Sequence, residues 1–332
     1  MIRFGLLASH QWPKELPLDE SLSGLIDLVQ TARDLSFDSV FTINHFLGNL
    51  ASPQPISMMA TLIPHSGDMQ IGTGILILPL FHPVHVAEEF ATLDRLSGGR
   101  MILGAGVGYR KEEYAAFGVN MKKRGRMFEE QIQLLRQLWS GEEVNFEGEF
   151  YQVQGTISCT PKQAGGPPIW IGAGARKAVE RAARMGDAWF TPGNTPSPDY
   201  MPKHVGIYNE ALNAAGKPIA GIERPLIKEV YVSEDPEEAK REVVHYMRKE
   251  YQAYSSYDAL SWFEDRWDEL LEHSLLVGTP EQVAGKMRGF MDLGFNHFVL
   301  RPFWGGLPYE RAERTLRLLA EEVRPALEQA HA

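Results

Sequence analysis

Eight short apolar runs, spread along 332 residues and separated by helix-forming stretches, constrain the fold of this chain more than any other feature. They read as strands over residues 2–8, 38–43, 70–78, 100–105, 169–171, 188–190, 226–232 and 297–301. Between them lie amphipathic helices over 18–35, over 84–96 (stopped by Gly98-Gly99) and over about 124–139, where Ile132, Leu135, Leu138 and Trp139 share one face. Continuous apolar strands alternating with helices are what a parallel sheet buried on both faces requires. Eight is the count of a (β/α)8 TIM barrel. A doubly wound sheet is the alternative; the count and the first of two departures from the rhythm favour the barrel. The first departure is an excursion before strand five, where 142–160 alternates around glycines like a hairpin. The second is a helix-rich, aromatic insertion over 235–273, between strands seven and eight. No shift in composition marks a boundary, so 1–332 is expected to be a single domain.

A formal charge of −10 disfavours a nucleic-acid partner, which needs a basic face, and equally an anionic membrane surface. The longest nearly apolar run, 71–81, is too short to span a bilayer. Cys159 has no second cysteine to pair with, and strand character begins by Ile2 without a basic-then-apolar leader; both point to a cytoplasmic protein.

Parallel α/β architectures bind ligands at the carboxyl ends of their strands, so the residues just past each strand carry the functional argument. Asn44-His45 follows strand two; an imidazole there either exchanges protons near neutral pH or caps a loop. Gly72 and Gly74 in strand three mark a bulge or a close ligand approach, or else glycines tolerated for packing against the next helix. Strand four ends in Gly104-Ala105-Gly106-Val107-Gly108-Tyr109. A dinucleotide fingerprint would open a helix at once, with an acidic residue about twenty positions on. Here a loop follows instead, and a planar ring lying on Val107 and Gly108, with Tyr109 and Arg110 at the rim, fits better.

After strand five, Gly172-Ala173-Gly174-Ala175-Arg176 runs into a helix whose free N–H groups would hold an anion, with Arg176 adding a contact. A plain small-residue turn with a solvated Arg176 is the alternative. Arg124 and Arg126 open the long helix against its dipole, either for a bound anion or as partners of Glu129 and Glu130. His82 and His85 have no third ligand at a fitting spacing, so no metal is expected. Gln11, Trp12, Trp304 and the aromatics Tyr251, Tyr254, Tyr257, Trp262, Phe263 and Trp267 suggest an apolar or aromatic small-molecule substrate, a dimer surface, or helix packing.

The segments DSVFTINHF, LPLFHPVHVAEEFATLDRLSGGRMILGAGVG and PPIWIGAGARKAVERAARMGDAWF, in that order, resemble the bacterial-luciferase-like flavin-dependent oxidoreductases. The likeness runs over nearly the whole chain. It implies a barrel that binds reduced FMN (FMNH2) at the strand carboxyl ends, often as a homodimer. It implies His45 as acid/base, with Asn44 standing where the family commonly has an acidic neighbour. It also implies a non-proline cis peptide at Gly74-Ile75 under the flavin ring, with Gly106, Val107, Gly108 and Tyr109 beside it. The phosphate tail would be held by Gly172, Ala173, Gly174, Ala175 and Arg176 on one side and by Arg126 on the other. Some deazaflavin-using members place a Glu directly after the glycine run, where this chain has Tyr109. The first expectation is therefore an FMNH2- and dioxygen-dependent monooxygenase, supplied with reduced flavin by a separate flavin reductase because no second nucleotide motif is visible. The alternatives are hydride transfer with a deazaflavin (F-420-type) coenzyme and a non-catalytic flavin-binding protein.

Overall fold

Each of the eight runs forms a strand in the computed structural model, which describes residues 2–195, 197–254 and 262–329. The strands are β1 (Arg3–Leu7), β2 (Ser39–Thr42), β3 (Gln70–Thr73), β4 (Met101–Gly106), β5 (Ile169–Gly172), β6 (Ala188–Phe190), β7 (Pro225–Val232) and β8 (His297–Arg301). They pair in parallel in the order β6-β5-β4-β3-β2-β1-β8-β7, forming a curled α/β sheet. The two ends of that path touch. Thr191, just past β6, bridges Leu226 of β7; its N–H donates to Pro225 and its carbonyl accepts from Ile227, both at 3.0 Å. A further strand, Leu276–Gly278, which the apolar pattern did not single out, joins the carboxyl half of β7.

The strand residues read as unbroken apolar runs because each strand faces two cores. Leu7, Phe41, Trp170, Phe190 and Val299 point inward into one buried cluster. Leu6, Val40, Ile171 and Leu300, their chain neighbours, pack into the larger cluster shared with the helices. β3 is shorter than expected. It stops at Thr73, the Gly74-Ile75 peptide is cis, and the chain resumes pairing with β4 only at Leu76–Ile77.

Helix bounds follow the pattern closely: Leu18–Asp34, Pro83–Leu96 and Arg124–Leu138. His82 caps the second of these, its Nδ1 accepting from Val84 N at 3.3 Å, which gives it a structural role. Gly98 and Gly99, at φ 77° and 86°, terminate it. Before β5 an antiparallel hairpin, Val144–Glu147 with Gln152–Gly155, sits on the long helix. Glu130 anchors it by accepting the N–H groups of Glu149, Phe150 and Tyr151 at 2.8–2.9 Å. Between β7 and β8 the helices include Pro236–Glu242, Arg248–Tyr254 and Trp262–Asp265; Tyr257 and the side chains of Tyr254 and Trp262 lie outside the described residues. Among the described residues, no helix is long and apolar enough to cross a membrane.

Candidate active site

A cavity of about 470 Å³ opens at the carboxyl ends of the strands, within the size range of small-molecule sites. Leu7, Ile75, Phe190 and Ile227 make it apolar at the bottom, where it meets the inner core.

One wall is nearly bare backbone. Gly74, then Gly106, Val107 and Gly108 past β4, then Gly172, Ala173 and Gly174 past β5 all line the cavity, with Tyr109 at its edge. The glycines do different jobs. A Cβ at Gly104 would stand 1.7 Å from the Thr73 carbonyl oxygen, and one at Gly72 2.5 Å from that of Ile102, so these two serve close strand packing. A Cβ at Gly106 or Gly172 would meet the Ile75 side chain, at 2.8 and 2.9 Å. Those two glycines make room for Ile75, which the bend at the end of β3 projects over them. The loop after β5 is pinned from behind: Trp189 Nε1 donates to Ala173 O at 2.8 Å and the Tyr200 hydroxyl to Gly174 O at 2.5 Å. A flat ring system fits such a wall, because few side chains stand between it and the peptide planes.

His45 stands at the rim past β2 and is positioned by a partner the sequence did not reveal. Its Nδ1 lies 3.0 Å from Oε1 of Glu113, a fully buried residue on the helix Lys111–Ala116. The same oxygen accepts from Phe46 N at 2.8 Å and Arg110 Nη1 at 3.1 Å. A carboxylate oxygen facing two other donors assigns the imidazole proton to Nδ1 and leaves the Nε2 lone pair to act as a base. The acidic neighbour that appears lost at Asn44 is thus replaced in space, 68 residues along the chain. Asn44 lines the cavity, but its amide is engaged: Oδ1 accepts from Ile77 N at 3.0 Å and Nδ2 donates to Gln54 at 3.2 Å. It ties β2 to the restarted strand and acts as a positioning residue. His10, also unforeseen here, is buried and accepts from Ile43 N at 3.1 Å; burial pushes its pKa down to about 4.

The opposite wall is polar. Glu229 of β7 gathers the Tyr251 hydroxyl, Arg301 Nη1 at 3.2 Å and Trp304 Nε1 at 2.8 Å. Asn194, past β6, donates to the Tyr251 oxygen at 2.7 Å. Arg301 also pairs with Glu250, whose other oxygen accepts from Gly305 N at 3.0 Å. Burial, with Glu229 adding to it, pushes the Tyr251 hydroxyl pKa well above its usual value. Glu229 and Arg301 carried a signal that the sequence reading passed over: charges inside otherwise apolar strands are costly unless paired.

Three residues expected to hold a phosphate are not among the cavity's lining. Arg126 is exposed and pairs with Glu149 at 2.8 Å; Arg176 is exposed and pairs with Glu180 at 2.9 Å, one helical turn on; Ala175 precedes the helix Arg176–Met185. Trp12, held by its Nε1 to the Tyr309 hydroxyl at 3.1 Å, and Trp304 are core residues, whereas Gln11, Tyr251 and Phe263 do line the cavity.

Comparison with known proteins agrees with this geometry. The family model for luciferase-like monooxygenases matches residues 2–297. A relative from Amycolatopsis mediterranei, an F420-dependent glucose-6-phosphate dehydrogenase, is 28% identical over 321 residues, covering 91% of this chain and 94% of its own. One of the same name from Kribbella flavida is 29% identical, covering 91% and 93%. Among solved structures, the monooxygenase RslO1 from Streptomyces bottropensis superimposes with a TM-score of 0.88 at 25% identity, over 98% of this chain and 99% of its own. The FMN-bound oxygenating constituent of 3,6-diketocamphane monooxygenase from Pseudomonas putida shares the fold at a TM-score of 0.81 and 19% identity, again over 98% and 99%. A backbone-walled cavity at the strand ends, a carboxylate-held histidine beside it and a family match over most of the chain converge on one assignment: this chain belongs to the luciferase-like monooxygenase family and is an oxidoreductase.

Proposed function

We propose that the chain is a deazaflavin-dependent oxidoreductase that oxidises a hydroxyl-bearing carbon of a small organic substrate, on a single (β/α)8 barrel domain spanning 1–332. The barrel reading is supported by the strand order and by the Thr191–Leu226 bridge between its ends. The function rests on one observation: His45, with Nδ1 committed to Glu113, presents a basic nitrogen at the rim of a cavity whose neighbouring wall is bare peptide. The names of the curated relatives support the coenzyme.

When bound against Gly74, Gly106, Val107, Gly108 and the Gly172–Gly174 segment, such a coenzyme supplies a hydride acceptor. His45 Nε2 takes the hydroxyl proton as the carbon–hydrogen bond gives up its electron pair. Glu113 holds the ring in one tautomer and balances the charge it gains, and Arg110 keeps Glu113 in place. Ile75, Phe190 and Ile227 exclude water from the bottom of the cavity.

A second reading, an FMNH2- and dioxygen-dependent monooxygenase fed by a separate flavin reductase, is favoured by the likeness to the Streptomyces monooxygenase. Fluorescence titration with FMN and with the deazaflavin coenzyme distinguishes them, followed by alcohol-dependent reduction of whichever binds. Tighter binding of FMN, with dioxygen uptake that requires an added reductase, would overturn the first reading. Binding of a flavin without any turnover would instead support a purely flavin-binding role. A cytoplasmic homodimer is proposed on the resemblance alone, and light scattering checks the assembly.

A further inference from the structure

We propose that the half of the cavity formed by the ends of β6, β7, β8 and β1 is a substrate subsite that takes an uncharged, hydroxyl-bearing molecule and rejects phosphate. The proposal rests on the dehydrogenase reading, whose substrate class it narrows.

Among the described residues that line the cavity, the cationic side chains are Arg301 and, when protonated, His45. Residues 254–262, part of which lie outside the described set, contain no Lys or Arg. Arg301 is buried and gripped from two sides, by Glu229 at 3.2 Å and by Glu250. Two carboxylates therefore surround one guanidinium, and the cluster as a whole repels an anion. A phosphate entering here would shed its water, meet Glu229 at close range, and compete with two carboxylates for the guanidinium. That contrasts with the curated relatives, whose names specify glucose 6-phosphate.

The same half carries polar atoms suited to a neutral guest. Ser9 and Asn194 line the cavity, and among the described residues Ser9 Oγ and Asn194 Oδ1 are buried with no hydrogen-bond partner. Asn194 is oriented by its own amide nitrogen, which donates to Tyr251, so its oxygen is left as an acceptor. Ser9, almost wholly buried past β1, can donate or accept. A substrate hydroxyl that reaches either residue would supply the missing hydrogen bond, while the apolar bottom takes the carbon skeleton.

The test uses the full-length protein in two arms. In the first, calorimetric titration with inorganic phosphate and with glucose 6-phosphate is expected to show no saturation up to about 10 mM, whereas Glu250→Gln, which loosens the grip on Arg301, gains at least about tenfold in phosphate affinity. Glu229→Gln serves the same purpose if that variant does not fold. Glucose 6-phosphate binding below about 1 mM, displaced by inorganic phosphate, would overturn the proposal. In the second arm, coenzyme reduction is followed with a panel of uncharged secondary and cyclic alcohols. Turnover of at least one is expected, with Asn194→Ala raising its KM about tenfold. Turnover confined to phosphorylated or otherwise charged alcohols, or an unchanged KM in the variant, sinks the subsite and leaves the dehydrogenase reading standing. Failure to bind the deazaflavin coenzyme sinks that reading instead, and the phosphate arm still judges the subsite.

Discussion

The two halves of the cavity mouth are built on opposite principles. The half past β3, β4 and β5 offers peptide planes and glycines, with the Ile75 side chain lying over Gly106 and Gly172. The half past β6, β7, β8 and β1 offers charge and amide groups locked to one another around Glu229. A surface without side chains recognises shape and flatness and tolerates several ring chemistries. A surface of mutually satisfied polar groups recognises the few donors that match its remaining acceptors and rejects the rest. The proposed function uses this division, with cofactor on one side and substrate choice on the other. His45 lines the cavity past the end of β2, beside the bare half.

The comparison breaks first at His45. Replacing it with alanine should lower kcat by about 10²- to 10⁴-fold while coenzyme still titrates onto the bare wall. Unchanged turnover would remove the histidine from the reaction. Next comes His10, which supports the same strand end. Its folded pKa of about 4 lies below the ordinary 6.5, so in acid the unfolded chain takes up a proton the folded one refuses. Stability should therefore be intact above pH 6.5 and fall as pH drops toward 4, by up to about 3 kcal/mol from this group. Denaturant melts across that range, compared with His10→Asn, would show a shallower decline in the variant. An identical slope would assign the acid sensitivity elsewhere.

Gly106→Val tests the bare half directly. Its Cβ would stand 2.8 Å from the Ile75 side chain, so a loss of about 1–3 kcal/mol in stability and weaker coenzyme binding are expected together. Coenzyme affinity equal to that of the parent would mean the ring lies elsewhere. The smallest effect belongs to Arg126→Ala, whose exposed pair with Glu149 contributes under about 1 kcal/mol. A tenfold loss of coenzyme affinity in that variant would support the phosphate contact that the family resemblance implies.

The strands were legible because an element buried on both faces has little freedom in composition: Val, Ile, Leu and Phe crowd into runs no helix or loop would produce. The backbone wall was legible for a related reason, since glycine in a strand is costly and conspicuous. The interruption at Gly74-Ile75 was locatable, but its neighbours were not: that Gly106 and Gly172 accommodate Ile75 follows from the fold, which brings the ends of β3, β4 and β5 together. Pairings across the fold left no local trace. Glu113 reads as one of several charges on a short helix, and nothing near Asn44 announces it. The phosphate arginines illustrate the converse. A basic residue at a helix start satisfies a motif, yet Arg126 and Arg176 each have a carboxylate within 3 Å that serves them equally well.

The contact between Thr191 and Leu226 has a mechanical corollary. β7 and β8 are zipped over five positions, from Pro225 with His297 to Glu229 with Arg301, whereas β6 and β7 share a lone bridge and two hydrogen bonds. Breathing of the perimeter disrupts fewest ladder rungs at that joint, so deuterium should enter the amides of Thr191 and Ile227 ahead of those along β8. Asn194 and Glu229, on either side of the same joint, both line the cavity, so the loosest seam of the perimeter borders the proposed subsite.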